Sequence, residues 1–291
     1  MATVSSTTAL VSVIIPAFEA EETIARAIHS LAAQTYPYWR AIVVADDRRD
    51  YGAVLAAAGI DDRRLRHATT GRIAAGPSIA RNVGLAVAAG ALIAPLDADD
   101  TYLPERLATL APLALAHGAA TDNVRVIDAA SGRELSTAFD RGAGVSRLDA
   151  SRFLATSVPL MPVVRAELAG RWDEDIDFAE DVLFNARLYD RVAWMPATQA
   201  PLRDYFVRVG SAAHGVESGA RAAAAYRRVL ARLDDDGLGL RRASLRRRLF
   251  GAMKRKIALN AAYERAYRSG ACANFQAFIA SDPAGVVAVA N

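Results

Sequence analysis

Cysteine and lysine are scarce in this sequence, which has one cysteine and two lysines among 291 residues. The single Cys272 excludes an intramolecular disulfide and a cysteine-based zinc cluster, and it favours a reducing cytoplasm. Because Lys254 and Lys256 are the only lysines, the first 250 residues contain no P-loop lysine, no Schiff-base lysine and no lysine of a phosphate-receiver domain. These absences exclude several common classes of phosphate-handling protein.

Long hydrophobic runs and a strong net charge are also missing. The apolar stretches at 10–17 and 83–96 are interrupted by proline or glycine and are too short to span a bilayer. The start of the chain has no basic region of the kind that opens a signal peptide, so a cytoplasmic protein is expected. The formal net charge is only +3, and nucleic acid is therefore not an expected partner.

Short runs rich in valine and isoleucine alternate with helical patterns in the first part of the chain. Strands are predicted at 10–17, 40–45 and 91–96, and the segments between them carry apolar residues at helical spacing. From about residue 215 the sequence becomes strongly helical. The predicted fold class is therefore α/β, with a mostly parallel sheet flanked by helices and a C-terminal helical extension.

Acidic residues follow two of the predicted strands directly. Asp46-Asp47 come after the second strand, and Asp97-Ala98-Asp99-Asp100 come after the third. The carboxyl ends of parallel strands meet at one edge of a sheet, where open α/β sheets bind ligands. Crowded carboxylates repel one another, and Mg²⁺ or Mn²⁺ would relieve that repulsion. The alternative is that these aspartates are ordinary turn and cap residues.

Two further charged groups have open interpretations from local sequence. Glu180-Asp181 begins a predicted helix, where a carboxylate could act as a general base or could simply stabilise the helix N-terminus. Arg81 lies on the helix predicted to begin at Gly76-Pro77-Ser78, with Ser78 as a capping residue. Its guanidinium could contact a phosphate or form a surface salt bridge.

Five segments taken together resemble the inverting family 2 glycosyltransferases with a GT-A fold. In chain order they are IIPAFEAEETI, VADD, GPSIARNVGLAVAAG, LDADD and the Glu180-Asp181 pair. The resemblance covers about residues 10–210 and implies a Rossmann-like GT-A domain at 10–214. Its nucleotide-binding half would be 10–116 and its acceptor half 117–214, between a tail at 1–9 and a helical region at 215–291.

The resemblance also implies roles for individual residues. Asp181 matches the catalytic base, Asp97 and Asp99 match the DXD motif, and Asp99 is the expected direct ligand of Mn²⁺ or Mg²⁺. His214 is a further candidate ligand. The implied nucleotide-sugar site consists of Pro16, Ala17, Phe18, Glu19, Asp46, Asp47, Arg81, Asp97, Ala98 and Asp99, with Asp100, Glu180 and Arg208 as secondary candidates. Glu19 replaces a commoner asparagine, and Asp47-Arg48-Arg49 replaces the usual DGS.

The implied activity is transfer of one sugar, with inversion, from a nucleotide sugar to an acceptor hydroxyl. UDP is the expected nucleotide, a glycan or lipid-linked molecule the expected acceptor, and polysaccharide or surface-glycan synthesis the expected setting. The QXXRW motif of processive members is absent, which favours addition of a single sugar. The alternatives are a non-catalytic nucleotide-sugar-binding protein and a sugar nucleotidyltransferase, although FEAEET lacks the glycine-rich basic loop of the latter.

Basic residues are concentrated at 241–257. There an apolar line of Leu245, Leu249, Met253 and Ile257 is flanked by arginines and lysines. The segment could lie on an anionic membrane, as a peripheral contact at the inner membrane face. Alternatively, the apolar line packs on the core and the basic side chains point into solvent, and this interpretation is favoured.

Overall fold

The computed structural model describes residues 8–208 and 218–281. Its strands are β1 Val11–Ala17, β2 Trp39–Ala45, β3 Leu65–Thr69, β4 Leu92–Pro95, β5 Thr101–Tyr102, β6 Ala119–Asp128, β7 Glu134–Thr137, β8 Val145–Asp149, β9 Val163–Arg165 and β10 Trp194–Val207. Its α-helices are α1 Ile24–Ala32, α2 Tyr51–Ala57, α3 Pro77–Ala86, α4 Arg106–His117, α5 Ala150–Leu154, α6 Glu180–Arg191, α7 Ser218–Asp235, α8 Ala243–Arg268 and α9 Phe275–Ser281. In these ranges no helix combines the length and the apolar character that a membrane crossing requires.

The first four strands form the parallel sheet that the sequence predicts. Their order is β3-β2-β1-β4, and every neighbouring pair among them is parallel. Strand β1 lies inside this sheet and is buried along almost its whole length, which explains its continuous run of apolar residues. Helix α1 buries the four apolar residues that recur at helical spacing: Ile24, Ala27, Ile28 and Leu31.

The remaining strands extend this sheet with mostly antiparallel pairs. Strand β9 pairs antiparallel with both β4 and β6, and thereby links the parallel sheet to the second half. Strands β6 and β10 run parallel, while β5 and β8 pair antiparallel with β10. Strands β6 and β7 form an antiparallel hairpin around the turn at Ser131-Gly132. The predicted fold class is confirmed, and the antiparallel pairs are a feature that the strand–helix alternation did not indicate.

The two largest hydrophobic clusters lie in different halves of the protein. The first lies in the parallel half, between β1, β2, β4, α1 and α4. The second lies in the second half and includes buried residues of the C-terminal helices, among them Val229, Leu245, Leu249 and Met253. The C-terminal helices therefore share a core with the strands and helices of residues 119–207.

A buried ion pair fixes the junction between the two halves. Arg106 at the start of α4 and Asp122 in β6 are both almost fully buried, and Arg106 Nη2 donates to Asp122 Oδ1 over 2.8 Å. The same Nη2 donates to the carbonyl of Met161 over 2.6 Å. A buried charge of this kind is stable only when it is paired and hydrogen-bonded.

We expect Gly90→Ala to destabilise the fold, because Gly90 lies where the backbone of β1 passes closest. A Cβ atom there would lie 2.5 Å from the carbonyl oxygen of Leu10 and 2.7 Å from the amide nitrogen of Ser12. Relieving such overlap costs about 1–3 kcal/mol. Gly170→Ala is the matched control, since a Cβ atom there would have no neighbour within 4 Å. Urea unfolding measures both, and equal midpoints for the two variants would contradict the expectation.

Candidate active site

The candidate site lies where β1, β2 and β4 end, at the carboxyl edge of the parallel strands. Strand β1 is flanked by β2 and β4, so the acidic segments that follow those two strands lie at the same edge, one strand apart. Pro16 and Ala17 are the last residues of β1, and Phe18 is 43% exposed beyond them. The sequence prediction that the two acidic segments share one sheet edge is confirmed by this strand order.

Asp47 shapes the loop after β1. The amide of Glu19, whose φ is +48°, donates to Asp47 Oδ2 over 2.7 Å. The hydroxyl of Tyr51 donates to the same oxygen, also over 2.7 Å. Burial alone would raise the pKa of Asp47, but the hydrogen bonds from Glu19, Tyr51 and Arg49 lower it below its ordinary value. Asp47 therefore holds Glu19 in a left-handed conformation that non-glycine residues rarely adopt.

Asp46 fixes the segment that leads into α3. Its buried carboxylate accepts hydrogen bonds from the Thr70 hydroxyl over 2.7 Å, the Ala75 amide over 3.1 Å and the Gly76 amide over 2.8 Å. Gly76, with a φ of +105°, is the N-cap of α3. The expected capping role of Ser78 is wrong, because its buried hydroxyl has no hydrogen-bond partner in the described structure.

Arg81 on α3 joins the two halves of the protein. Its Nη2 donates to Asp97 Oδ1 over 2.6 Å, and its Nη1 donates to Glu180 Oε1 over 3.1 Å. The guanidinium also lies 4.4 Å from the ring centre of Trp172. Burial opposes its charge, but the two carboxylates raise the pKa of Arg81 above the ordinary value. The salt bridge weighed for Arg81 thus exists, but it is buried rather than on the surface.

The next residue in the chain strengthens the same junction. Asn82 Nδ2 donates to the carbonyl of Trp172 over 3.0 Å, and the amide of Trp172 donates back to Asn82 Oδ1 over 2.8 Å. Two residues later, a Cβ atom on Gly84 would lie 2.5 Å from a methyl carbon of Ile14 in β1. The segment ARNVGL therefore combines an ion-pair bridge, a reciprocal hydrogen bond and a close approach of helix to strand.

Three arginines besides Arg81 hold the acidic segment after β4. Arg208 Nη2 donates to Asp99 Oδ2 over 3.1 Å, and Arg26 Nη2 donates to the carbonyl of Asp99 over 2.6 Å. Asp100 is fully buried, where it accepts from the amide of Phe206 over 3.1 Å and lies 3.6 Å from Arg203 Nη1. Arg208 is therefore bonded to the acidic segment after β4, and Asp100 is part of it, so both secondary candidates belong to the candidate site.

The electrostatics of this segment suit a divalent cation. Burial, followed by the charge of Asp97, raises the pKa of Asp99. Burial likewise raises the pKa of Asp100 well above its ordinary value. The side chains of Asp97 and Asp99 remain 25% and 30% exposed, so both are accessible from solvent. Within 8–208 and 218–281, no three acidic, histidine or cysteine side chains form a complete metal site. Mg²⁺ and Mn²⁺ commonly take one or two carboxylates and complete their shell with phosphate oxygens, and Asp97 and Asp99 are the carboxylates that could serve in this way.

Asp181 lies in the first turn of α6 and differs from its neighbour Glu180. Helix α6 begins after Ala179, whose φ of +66° is a left-handed conformation at the N-cap. Glu180 is bonded to Arg81, whereas Asp181 forms no ion pair in the described ranges. Burial and then the charge of Glu180 raise the pKa of Asp181 to about 6, against the opposing charges of Lys256 and Arg81. This is the range of a general base that works near neutral pH.

Other residues at the site were missed by sequence reasoning. The basic side chains of α8, Lys256 among them, were predicted to point into solvent. In the structure the positive charge of Lys256 interacts with the charge of Asp181, and its ammonium donates to the carbonyl of Thr156 over 2.9 Å. Lys256 follows the buried Met253 by three residues, and that helical spacing would have placed it beside the buried line. No sequence pattern indicated a role at the site for three further residues: Trp172, Arg26 and Tyr226. His214 lies outside the described residues.

Comparison with known proteins agrees with this architecture. The sequence model described as "Glycosyl transferase family 2" matches residues 12–153. The glucosyltransferase WfgD of Escherichia coli, named as acting on UDP-Glc and alpha-D-GlcNAc-diphosphoundecaprenol, is 38% identical over 98 residues, which are 34% of this chain and 38% of WfgD. The succinoglycan biosynthesis protein ExoO of Rhizobium meliloti is 40% identical over 119 residues, which are 40% of this chain and 34% of ExoO. The chain thus matches well under half the length of these two relatives.

Solved structures match over a larger part of the chain. The S. aureus TarS structure of residues 1–349 in complex with UDP-GlcNAc has 18% identity and a TM-score of 0.59, covering 90% of this chain and 92% of that one. A longer TarS structure has a TM-score of 0.60 and covers 88% of this chain and 43% of its own. At this identity the likeness concerns the fold. Residues 12–153 are therefore similar to family 2 glycosyltransferases, and the chain has the fold of the TarS structures.

Proposed function

We propose that the protein is an inverting glycosyltransferase that transfers one sugar from a UDP-sugar to an acceptor hydroxyl, in the synthesis of a polysaccharide or surface glycan. The observation that carries the proposal is the placement of Asp181. A half-buried carboxylate with a pKa of about 6 lies across the buried Arg81 bridge from the acidic segment after β4. The side chain of Arg81 thus links Glu180, the neighbour of the proposed base Asp181, to Asp97 in the proposed cation-binding segment.

UDP is proposed as the nucleotide because of the relatives. TarS has been solved with UDP and with UDP-GlcNAc, and WfgD is named for its use of UDP-Glc. On this chain, the exposed ring of Phe18 and the loops fixed by Asp46 and Asp47 would receive the nucleoside. A glycan or lipid-linked acceptor is proposed on the same basis, since WfgD acts on a lipid-linked sugar diphosphate.

The proposed metal is Mn²⁺ or Mg²⁺, held by Asp99 with Asp97 beside it. When bound, it would neutralise the negative charge that grows on the leaving diphosphate. Arg208, which is paired with Asp99, supplies a second positive charge at the rim of the site and can pair with diphosphate oxygens. Arg81 stays bonded to Asp97 and so orients that carboxylate.

The proposed chemistry is a single in-line displacement. Asp181 takes the proton from the acceptor hydroxyl, and that oxygen attacks the anomeric carbon from the face opposite the diphosphate. The carbon–oxygen bond to the diphosphate breaks as the new glycosidic bond forms, which inverts the configuration. With a pKa of about 6, Asp181 is mostly ionised at pH 7 and can still accept a proton efficiently.

Contact of segment 241–257 with the inner face of a membrane stays a prediction. Leu245, Leu249 and Met253 are buried, which supports the interpretation that the apolar line packs on the core. Arg247 and Arg248 are nevertheless exposed, and basic side chains near a membrane surface contribute about 1 kcal/mol each. A packed apolar line with exposed arginines beside it is compatible with an acceptor that is linked to a membrane lipid.

We expect Asp181→Asn to retain donor binding and to lower transfer by about 10²–10⁴-fold, because the amide cannot accept the proton. Transfer by the unchanged enzyme should fall as pH drops through about 6, where Asp181 becomes protonated. Asp175→Asn is the control, since its side chain is 84% exposed. Product formation with a panel of UDP-sugars and acceptors measures the rates. An active Asp181→Asn enzyme would mean that another group is the base.

We expect UDP to bind measurably more tightly with Mn²⁺ than without it, and Asp99→Ala to remove most of that difference. Asp99 is the accessible carboxylate whose pKa is raised by burial and by Asp97, so a cation should stabilise its ionised form. Calorimetric titration with UDP and GDP, each with and without Mn²⁺, measures this difference and also identifies the nucleotide that the protein prefers. The exposed Asp61→Ala is the control. Metal-independent binding that survives Asp99→Ala would contradict the metal assignment, and binding without turnover would favour a non-catalytic protein.

If segment 241–257 contacts membranes, Arg247→Gln with Arg248→Gln should weaken binding to anionic vesicles about tenfold or more at low salt. The control replaces the exposed Arg63 and Arg66, near β3 at the far edge of the sheet, with glutamine. Sedimentation with anionic and with neutral vesicles measures the difference. Equal binding by both double variants would show that the arginines of α8 are only solvated.

A further inference from the structure

Helix α8 brings a basic side chain to the catalytic end of α6. Lys256 is only partly exposed, although its neighbour Lys254 on the same helix is exposed. Its ammonium donates to the carbonyl of Thr156 over 2.9 Å, and its charge interacts with that of Asp181. Helix α8 packs against both α5 and α6, so the position of Lys256 is set by helix packing.

The segment that holds Lys256 is fixed along its length. Residues 156–161 share Asn185 with Asp181 and Arg203 with Asp100. Five of their carbonyls accept a side-chain hydrogen bond from a different element. The donors are Lys256 to Thr156, Gln276 to Ser157, Arg203 to Pro159, Asn185 to Leu160 and Arg106 to Met161. Asn185 also donates to the carbonyl of Asp181, which ties the same segment to the base.

The charges around Asp181 come from four helices. Glu180 precedes it on α6, Arg81 approaches from α3, Tyr226 lies on α7 and Lys256 lies on α8. The charge of Arg81 is already shared between two carboxylates. Lys256 forms no ion pair within the described ranges, so its positive charge is the one least neutralised by other partners.

We propose that Lys256 is a positioning residue for the reaction: its ammonium, anchored on the carbonyl of Thr156, is the counter-charge that keeps Asp181 ionised at neutral pH. The inference rests on the proposed role of Asp181 as the base. Burial and Glu180 favour the neutral carboxyl, whereas Lys256 and Arg81 favour the carboxylate. The C-terminal helical region would thereby contribute to catalysis through Asp181, and not only to the hydrophobic core.

The first test is the pH dependence of kcat/KM for Lys256→Met. Without the ammonium, the acid-side midpoint should rise by about one pH unit, the lower end of the range for a close opposite charge. Transfer would then fall about fivefold at pH 6 and little at pH 8.5. Lys256→Arg should restore the profile, and Lys254→Met is the matched control. A uniform loss of rate with an unchanged midpoint would mean that Lys256 is only structural, and would overturn the proposal.

The second test does not depend on turnover, because the chain has only two lysines. In a Lys254→Arg background, reductive ¹³C-methylation labels Lys256 as the single lysine, whose titration is followed by NMR. Asp181→Asn should lower its midpoint by about one pH unit, since Asp181 raises the pKa of Lys256 against the effect of burial. Asp175→Asn should leave it unchanged. An unmoved midpoint in Asp181→Asn would overturn the charge interaction between Lys256 and Asp181. A shifted midpoint, with no sugar transfer by the unchanged enzyme, would leave that interaction intact and reject the proposed function.

Discussion

The buried guanidinium of Arg81 is the interaction on which the arrangement of the candidate site depends. It binds Asp97 at the end of the parallel half and Glu180 at the start of α6, and it stacks against Trp172. Leaving a buried charge without its partner costs about 3–5 kcal/mol. Arg81 therefore sets the distance between Asp97, in the acidic segment after β4, and Glu180, at the start of α6.

The two adjacent acids of α6 have different roles because of this bridge. Glu180 is committed to Arg81, so its charge is neutralised within the protein. Asp181, one residue later and without an ion pair in the described ranges, keeps the raised pKa that suits a base. An adjacent pair of acids thus supplies one structural anchor, Glu180, and the carboxylate that we propose as the base, Asp181. The left-handed Ala179 before them is a local strain that the surrounding contacts must hold in place.

The sequence predicts the parallel half well because its buried residues follow simple apolar patterns along the chain. A continuous apolar run such as β1 and a four-residue stripe such as that of α1 have one simple interpretation each. The acidic segments were also predictable, since parallel strands place their ends at one edge. The hydrogen bonds made by these acidic segments were not predictable from the sequence. Asp46 and Asp47 use their oxygens to fix loops, and no local pattern states which amides will reach a given carboxylate.

Residues brought to the site by the second half could not be predicted in the same way. Lys256 is separated from Asp181 by 75 positions, and only the packing of α8 on α6 brings their charges together. The family match ends at residue 153, before Glu180, Asp181 and Lys256. The acidic segments after β2 and β4 therefore follow a pattern shared with relatives, whereas Asp181 lies in a part of the chain outside the match. In the proposed mechanism the acceptor approaches Asp181, so acceptor choice should depend on segments that surround this residue, such as 156–161 and α8.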